Sequence, residues 1–392
     1  MSKFSLIKAS HNGTYPVLFA RNLETGQATS FTMPFSPYFY VEDMKGSYIS
    51  VDGKKLRKVT CERPGDVPTE RSKYSATWEA DIPYARRYLI DKGIRSGFEV
   101  LGAEVKPIDV EYTPYTVLYI DIESYPAGNE PNEQKDYITC VSLTSNKMDD
   151  VATLLNGIEA KDEKELLGKL VYILNGSKPD ILCGYGDYDY KMLSARFHRY
   201  NIEFSFDSIN YFDFLSAIRT LTSRVSYRLK DVALEEGVTT EKQPQLNYRD
   251  LYDNNKPELK RINTSHVRWL RDLDKKLNVC NYFWEIKSFV GLENIERTIY
   301  ASTLIDTLLL REYKDKYVLP SKEKHERVPY EGAIILKPKR SIYRGIAVLD
   351  MAAYYPHVIL DEKLDPTIWY AYHAWKKSGK TIGEFLDGMQ NM

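Results

Sequence analysis

The alternation of apolar and polar residues makes the first part of the chain strand-rich. Short runs with β-branched and aromatic side chains are bounded by turn-forming pairs such as Asn12-Gly13 and Thr25-Gly26. One helix is predicted over 84–90, with Pro83 near its first turn. The predicted strands cover 4–9, 15–21, 28–33 and 38–41. Residues 1–114 are therefore expected to form a β-rich domain.

From about residue 115 the period of the pattern changes, and predicted strands alternate with predicted helices. Leucines recur at helical spacing over 163–174, and a further helix begins near Asp189. Apolar runs predict strands at 116–123, 138–143 and 180–183. The order strand, strand, helix, strand, helix predicts a mixed sheet flanked by helices, in a domain over 115–316.

Two carboxylates stand at the end of the first of these strands. Side chains alternate along a strand, so Asp121 and Glu123 point to the same face. Two like charges at short distance repel unless a cation lies between them, and hard divalent cations prefer such oxygen ligands. The alternative is that the pair serves as a helix cap or a surface turn.

One helix predicted over 299–310 carries an acidic residue, Asp306, among leucines and isoleucine. A buried carboxylate there is costly unless it is paired or bound to a metal, and the alternative is a helix turned so that Asp306 meets water. Together with Asp121, Glu123 and Asp189 it gives the three or four carboxylates that two-metal phosphodiester chemistry needs.

Composition restricts the class of protein. Lys plus Arg number 54 and Asp plus Glu 55, so a nucleic-acid partner would have to be met by local basic clusters. The four cysteines have no C-x-x-C spacing, which argues against a zinc site or a disulfide framework. The first ten residues lack the apolar core of a signal peptide, and no apolar run reaches membrane-spanning length. We therefore expect an intracellular, cytoplasmic protein with no membrane segment.

Residues 243–290 mix basic and aromatic side chains, including Trp269, Phe283 and Trp284. Two interpretations remain open at this point. The stretch is either a solvated helix face with a core stripe, or a groove wall whose cations contact a nucleic-acid backbone and whose rings stack on bases.

Several segments, in order along the chain, resemble the family B DNA polymerases, most closely the archaeal-type ones. Asp121-Ile122-Glu123 resembles the first exonuclease motif, 184–189 the second, and 349–356 polymerase motif A, while Asp306 fits the third exonuclease motif. Further similar segments are 80–90, 226–233 and 330–333.

The resemblance implies a β-rich domain over 1–114, an RNase H-like 3′–5′ exonuclease domain over 115–316, and a linker with the start of a polymerase palm over 317–392. It also implies an enzyme of DNA replication with two Mg²⁺ or Mn²⁺ ions in each exonuclease site. The residues that it places in contact with metal are Asp121, Glu123, Asp189, Asp306 and Asp350. Those that it places in contact with nucleotide or DNA are Tyr355, Tyr188, Tyr330 and Gly332.

The motifs depart from the family pattern at two positions. Asp187 stands where the second motif usually has Asn, which makes it a rival to Asp189, although the spacing from Tyr188 and Leu193 favours Asp189. Ser302 stands where the third motif usually has a tyrosine that orients the attacking water. A slower exonuclease is expected from these changes.

We predict a 3′–5′ exonuclease that is also the N-terminal part of a DNA-directed DNA polymerase. The expected partners are DNA, a second polymerase subunit with the rest of the palm, fingers and thumb, and a sliding clamp. The alternative is a non-catalytic DNA-binding or scaffolding remnant. The resemblance also suggests that Pro37 and Tyr38 form one wall of a uracil pocket, against the alternative of an ordinary strand that begins at a proline.

Overall fold

The computed structural model of the chain describes residues 2–102, 104–128, 132–242, 246–322, 329, 332, 334, 336–337, 339–362, 375–379 and 381. The chain divides into two compact units. The first comprises Met1–Pro37, Thr60–Thr69 and Ile82–Lys314, and the second comprises Tyr38–Val59, Glu70–Asp81 and Asp315–Met392. This division does not coincide with the domain bounds expected from the sequence, which remain a prediction.

The mixed α and β fold expected from the sequence is confirmed. In chain order the strands are β1 (Lys3–His11), β2 (Pro16–Asn22), β3 (Ala28–Thr32), β4 (Tyr38–Glu42), β5 (Tyr48–Ile49), β6 (Lys55–Thr60), β7 (Gly97–Leu101), β8 (Glu104–Ile108), β9 (Val117–Tyr125), β10 (Tyr137–Ser145), β11 (Met148–Leu155), β12 (Ile181–Gly184) and β13 (Asn210–Asp213). The helices are α1 (Val67–Arg71), α2 (Tyr84–Asp91), α3 (Glu163–Ser177), α4 (Tyr188–Arg199), α5 (Phe214–Leu221), α6 (Leu229–Glu235), α7 (Tyr248–Asn254), α8 (Lys256–Leu277), α9 (Val279–Val290), α10 (Ala301–Tyr313) and α11 (Tyr354–Asp361). Short 3-10 helices cover Pro64–Asp66 and Ile295–Ile299.

The first unit contains an antiparallel sheet with strand order β3-β2-β1-β7-β8. Side chains on its inner face, among them Leu18 and Phe98, pack with Tyr88 and Leu89 of α2. All four side chains are essentially inaccessible to solvent. Burial of this apolar face against one helix stabilises the sheet.

The same unit contains a mixed sheet with strand order β11-β10-β9-β12-β13. β9 pairs antiparallel with β10 and parallel with β12, and β12 pairs parallel with β13. Helices cover both faces of this sheet, because β9 has apolar side chains on both of its faces. Leu118, Ile120 and Ile122 pack in one core with α3 and α4, whereas Val117 and Tyr119 pack in another with α5, α6, α8 and α9. β9 is therefore the central strand of a two-sided core.

Charged contacts join the two sheets of the first unit. Arg21 Nε donates to Asp180 Oδ2 at 2.6 Å, and the Arg86 guanidinium makes two 2.8 Å hydrogen bonds to the Glu293 carboxylate. Lys287 is completely buried and donates from Nζ to the carbonyl oxygen of Leu6 at 2.9 Å. Burial lowers the pKa of Lys287 to about 7. These contacts fix the first sheet against the layer of helices behind β9.

The second unit contains a small sheet with strand order β4-β6-β5. Tyr38 begins β4, is buried, and has Lys58 Nζ 3.4 Å from its ring centroid. In the described part of this unit, residues 346–350 are exposed and form no strand. A strand needs a neighbour to accept and donate its backbone hydrogen bonds, and none of the described residues pairs with this segment. No described helix of the chain is both long and apolar enough to span a membrane.

Candidate functional site

The candidate site is built on the last residues of β9. Ile120 and Ile122 point towards α3 and α4, so the alternation of the strand directs Asp121 and Glu123 to the opposite face, where α8 lies. Asp121 lies opposite Ser142 and Glu123 opposite Cys140 on β10. Both carboxylates therefore lie on one face of the central strand, as the spacing in the sequence predicts.

Helix α8 provides a histidine and an asparagine to these carboxylates. His266 Nδ1 lies 3.4 Å from Asp121 Oδ2 and 3.2 Å from Glu123 Oε1. One turn earlier, Asn263 Nδ2 donates to Asp121 Oδ2 at 2.6 Å and to the backbone oxygen of the same residue at 3.2 Å. The Asn263 amide is itself oriented by Cys140, whose Sγ donates to Asn263 Oδ1 at 3.3 Å. Asn263 thus holds the Asp121 carboxylate in one orientation.

Helix α4 brings a third carboxyl group to the same place. Asp189 lies in the first turn of α4 and is 8 % exposed. Among the described residues nothing donates a hydrogen bond to its carboxylate. Burial raises the pKa of Asp189 well above its ordinary value, and the negative charges of Asp121 and Glu123 raise it further. Asp189 is therefore a buried acid whose nearest charges are of its own sign.

Electrostatics couple the remaining groups. Burial raises the pKa of Glu123 to about 7, against the hydrogen bonds that it accepts from His266 and Tyr248. Burial also opposes a charged His266, but its hydrogen bonds to Asp121 and Glu123 outweigh this and raise the pKa of His266 to about 10. The site is consequently a compact arrangement of acids with one basic ring between them.

The donor set fits a divalent cation. Asp121, Glu123 and His266 each offer one ligand atom, and these atoms lie within 4.8 Å of one another. Carboxylate oxygens and imidazole nitrogens are ordinary ligands of divalent metals. Asp189 adds a further buried carboxyl group whose negative charge a cation would neutralise.

The structure does not bring every predicted residue to this site. Asp306 is half-buried on α10, a helix that packs against α9, and it is not among the principal charges that act on Glu123 or Asp189. Its place beside the β9 carboxylates is taken by His266. A tyrosine does contact the site, but it is Tyr248 of α7. Tyr300, the tyrosine just before Asp306 in the chain, is exposed at the start of α10. Asp306 is therefore partly exposed, between the two alternatives expected from the sequence, and its role as a metal ligand stays a prediction.

Asp187 and Asp189, the two candidates in the second motif, differ in their exposure to solvent. Asp187 is exposed and pairs with Lys191 at 2.6 Å, while Asp189 is buried near Asp121 and Glu123. Tyr188, between them, has its hydroxyl 3.0 Å from Ser124 Oγ and 3.3 Å from Asp136 Oδ2.

Of the remaining predicted contact residues, Pro37 belongs to the first unit, and Tyr38, Gly332, Asp350 and Tyr355 belong to the second. Pro37 and Tyr38 are buried, and Gly332, Asp350 and Tyr355 are exposed. Tyr330 lies outside the described residues. Their roles stay predictions.

Sequence reasoning missed three residues of the site, namely Asn263, His266 and Tyr248. α8 buries an apolar stripe, and Asn263 and His266 are polar residues that interrupt this stripe at helical spacing. Those two polar residues within the apolar stripe were the sequence signal that could have identified them as site residues. The open question on residues 243–290 is answered for three of its rings, because Trp269, Phe283 and Trp284 are buried in the core behind β9, whereas Tyr282 is exposed.

Two sequence models of one family match the chain. Residues 75–253 match the exonuclease domain of DNA polymerase family B, and residues 295–373 match the model of DNA polymerase family B itself. The mixed sheet, with its acidic cluster on the central strand, falls largely within the first of these ranges. The chain belongs to DNA polymerase family B.

Individual relatives are archaeal. A DNA polymerase from Archaeoglobus fulgidus is 24 % identical over 88 % of this chain and 51 % of its own length. One from Methanocaldococcus jannaschii is also 24 % identical, over 81 % of this chain and 23 % of its own length. A solved family B DNA polymerase from Pyrobaculum calidifontis has the same fold, with a TM-score of 0.73 and 22 % identity over 92 % of this chain and 57 % of that one. The chain thus spans about half the length of most of the relatives it matches, such as 51 % of the first.

Proposed function

We propose that this chain is a metal-dependent 3′–5′ exonuclease that hydrolyses the terminal phosphodiester of single-stranded or frayed DNA. The observation that carries the proposal is the convergence of three buried or half-buried carboxyl groups, Asp121, Glu123 and Asp189, beside the central strand of a domain matched by an exonuclease model. These three residues and His266 would hold the divalent metal. Bound there, the metal would activate a water molecule and stabilise the leaving oxygen.

The protein's own residues orient this site. Asn263 fixes the Asp121 carboxylate, and Tyr248 donates a hydrogen bond to Glu123. Two cations lie on the segments beside these residues. Arg249, next to Tyr248, donates to the carbonyl oxygens of Pro126 and Gly128, and Lys256 Nζ is 4.4 Å from the ring centroid of Tyr252. Such cations attract a DNA backbone, so we assign them to holding the strand whose end is cleaved.

The experiment is degradation of a 5′-labelled single strand with Mg²⁺ or Mn²⁺ by the whole chain. Asp121→Ala should reduce the rate at least a hundredfold, because a metal-binding carboxylate is lost. Asp187→Ala is the matched control, since Asp187 is an exposed acid that pairs with Lys191. It should keep the wild-type rate. A wild-type chain that leaves the strand intact with either metal contradicts the proposal.

A second candidate function is favoured by a specific observation. His266 and Asn263 already provide hydrogen bonds to the β9 carboxylates, so part of the acidic charge is compensated without any ion. This is what a non-catalytic DNA-binding or scaffolding member of the family would show. Strand binding measured by fluorescence anisotropy, without cleavage in either metal, would select this candidate.

The second matched range supports a polymerase role for a longer assembly. We propose that Asp350 binds a metal at the palm and that Tyr355 contacts the incoming nucleotide, as the resemblance to motif A implies. Two-metal phosphoryl transfer needs a further palm carboxylate, so Asp350 and Tyr355 would act only together with the rest of a palm, fingers and thumb. Primer extension by this chain alone contradicts this proposal.

A further inference from the structure

The histidine on α8 has the position of a ligand. Its Nδ1 lies at similar distances from one oxygen of each β9 carboxylate, 3.4 Å from Asp121 and 3.2 Å from Glu123. Ligand atoms that share one ion are near neighbours, and these three meet that condition. We propose that His266 is a metal ligand, and that Asp121, Glu123 and His266 form a site that selects Mn²⁺ over Mg²⁺. The proposal rests on the metal site of the proposed function and names the metal that it takes.

The surrounding structure holds the ring in place. His266 lies near the middle of the 22-residue α8, which packs against β9, β10 and β11. Its ring centroid is 5.4 Å from that of Trp269, a buried core residue. Asn263, one turn earlier on the same helix, fixes Asp121. The nitrogen and the carboxylate oxygens are therefore positioned by one rigid helix and one central strand.

The charge of the site calls for a cation beyond the histidine. Asp121, Glu123 and Asp189 place three carboxyl groups around a single imidazole. Asp189 is 8 % exposed and, within the described part of the chain, accepts no hydrogen bond. One imidazolium cannot balance three carboxylates, so negative charge remains. A buried carboxyl group that accepts no hydrogen bond, and on which the neighbouring carboxylates act more strongly than the imidazole does, is the group that a bound dication would stabilise.

The chemical types of the ligand atoms distinguish Mn²⁺ from Mg²⁺ at this site. Mg²⁺ prefers oxygen ligands, keeps several of its own waters and is rarely bound through imidazole. Mn²⁺ accepts carboxylate oxygen as Mg²⁺ does, but as a first-row transition ion it also binds imidazole nitrogen more readily than Mg²⁺. A histidine in place of a fourth carboxylate therefore shifts the preference of the site away from Mg²⁺.

The test measures bound Mn²⁺ directly, with the whole chain and no DNA. Electron spin-echo spectroscopy of Mn²⁺ detects a directly bonded imidazole nitrogen, so wild-type protein should show nitrogen coupling. His266→Asp should lose this coupling, and its ratio of Mg²⁺ to Mn²⁺ dissociation constants, from competition titrations, should fall at least tenfold. His198→Asp is the matched control, because His198 is an exposed histidine on α4. It should change neither readout.

Each outcome decides the proposal. Bound Mn²⁺ without nitrogen coupling in the wild type would show that His266 only pairs with the carboxylates, and would overturn the proposal. Absence of Mn²⁺ binding to the wild type would also overturn it. So would a ratio of Mg²⁺ to Mn²⁺ dissociation constants that is unchanged in His266→Asp. If His266→Asp does not fold, His266→Gln takes its place, since its amide side chain is close to histidine in volume and offers no imidazole. The nuclease assay is separate: selective Mn²⁺ binding without cleavage supports this inference while the exonuclease proposal fails, and cleavage without Mn²⁺ selectivity does the reverse.

Discussion

Asn263 donates a hydrogen bond to a carboxylate of the site, and Asn263→Asp tests how the site accommodates one more acidic group. Asn263 is completely buried, and its Nδ2 donates to Asp121 Oδ2 at 2.6 Å. The substitution keeps the shape of the side chain and replaces this donor with a carboxyl group. We expect metal-free protein to lose stability, because two acids then share the space in which one acid was hydrogen-bonded.

The magnitude follows from protonation of the new carboxyl group. If both groups were ionised, their repulsion at this distance would be about 6 kcal/mol at an effective dielectric constant of about 20. The new group avoids this by keeping a proton and donating it to Asp121. Holding that proton at pH 7 costs at most about 4 kcal/mol, and at pH 5 about 1.5 kcal/mol, because an Asp in the unfolded chain has a pKa of about 3.9. The expected loss therefore grows with pH.

Urea denaturation of metal-free protein at pH 5 and pH 7 measures both values. Asn254→Asp is the matched control, because Asn254 Nδ2 also donates to an aspartate, Asp250, at 2.7 Å, but on an exposed helix surface. Its cost should stay below about 0.5 kcal/mol at either pH. Equal losses in the two variants, or a loss at position 263 that does not increase from pH 5 to pH 7, would refute the reasoning.

Two further predictions concern the same unit. The pKa of Glu123 is raised from 4.5 to about 7 and that of His266 from 6.5 to about 10, so the folded chain keeps protons that the unfolded chain releases. The stability of metal-free protein should therefore be greatest below pH 4.5 as far as these groups are concerned, and their contribution should be lost as the pH rises to about 10. A difference profile of wild type against Glu123→Gln/His266→Gln that is flat over this range would contradict the assignment. Glu163 and Arg196 form a buried ion pair that joins α3 to α4, with Arg196 Nε donating to Glu163 Oε1 at 2.7 Å. Arg196→Leu should cost about 3–5 kcal/mol, and Arg196→Leu combined with Glu163→Leu less than the sum of the single changes. Strictly additive losses in urea denaturation would show that the pair does not interact.

Part of the fold followed from local pattern: strands β1 to β4, β9, β10 and β12 were predicted, whereas β5 to β8, β11 and β13 were not. The strand that carries Asp121 and Glu123 is an apolar run, and its two-residue period alone directs both carboxylates to one face. The helix start at Asp187-Tyr188-Asp189 likewise separates an exposed acid from a buried one within one turn.

The partner of these carboxylates did not follow from local pattern. His266 is more than a hundred residues from Asp121 in the chain, and only the packing of α8 on β9 brings the two together. α8 also falls between the two ranges that match the family, 75–253 and 295–373. Asp306 was favoured by its acidic side chain in an apolar helix, but α10 packs against α9 and leaves it half-exposed. Tertiary position, rather than residue type, determined the membership of the site.

The two polar residues that α8 presents to Asp121 also bear on how this site can change over generations. Either histidine codon becomes an aspartate codon by substitution of its first base, and the same is true of either asparagine codon. Positions 263 and 266 are thus each one base from an added carboxylate, on a helix whose other buried residues, apolar except for Asp274, would not need to change. A lineage of this gene can therefore pass between a mixed nitrogen–oxygen site and an all-oxygen site in one mutational step.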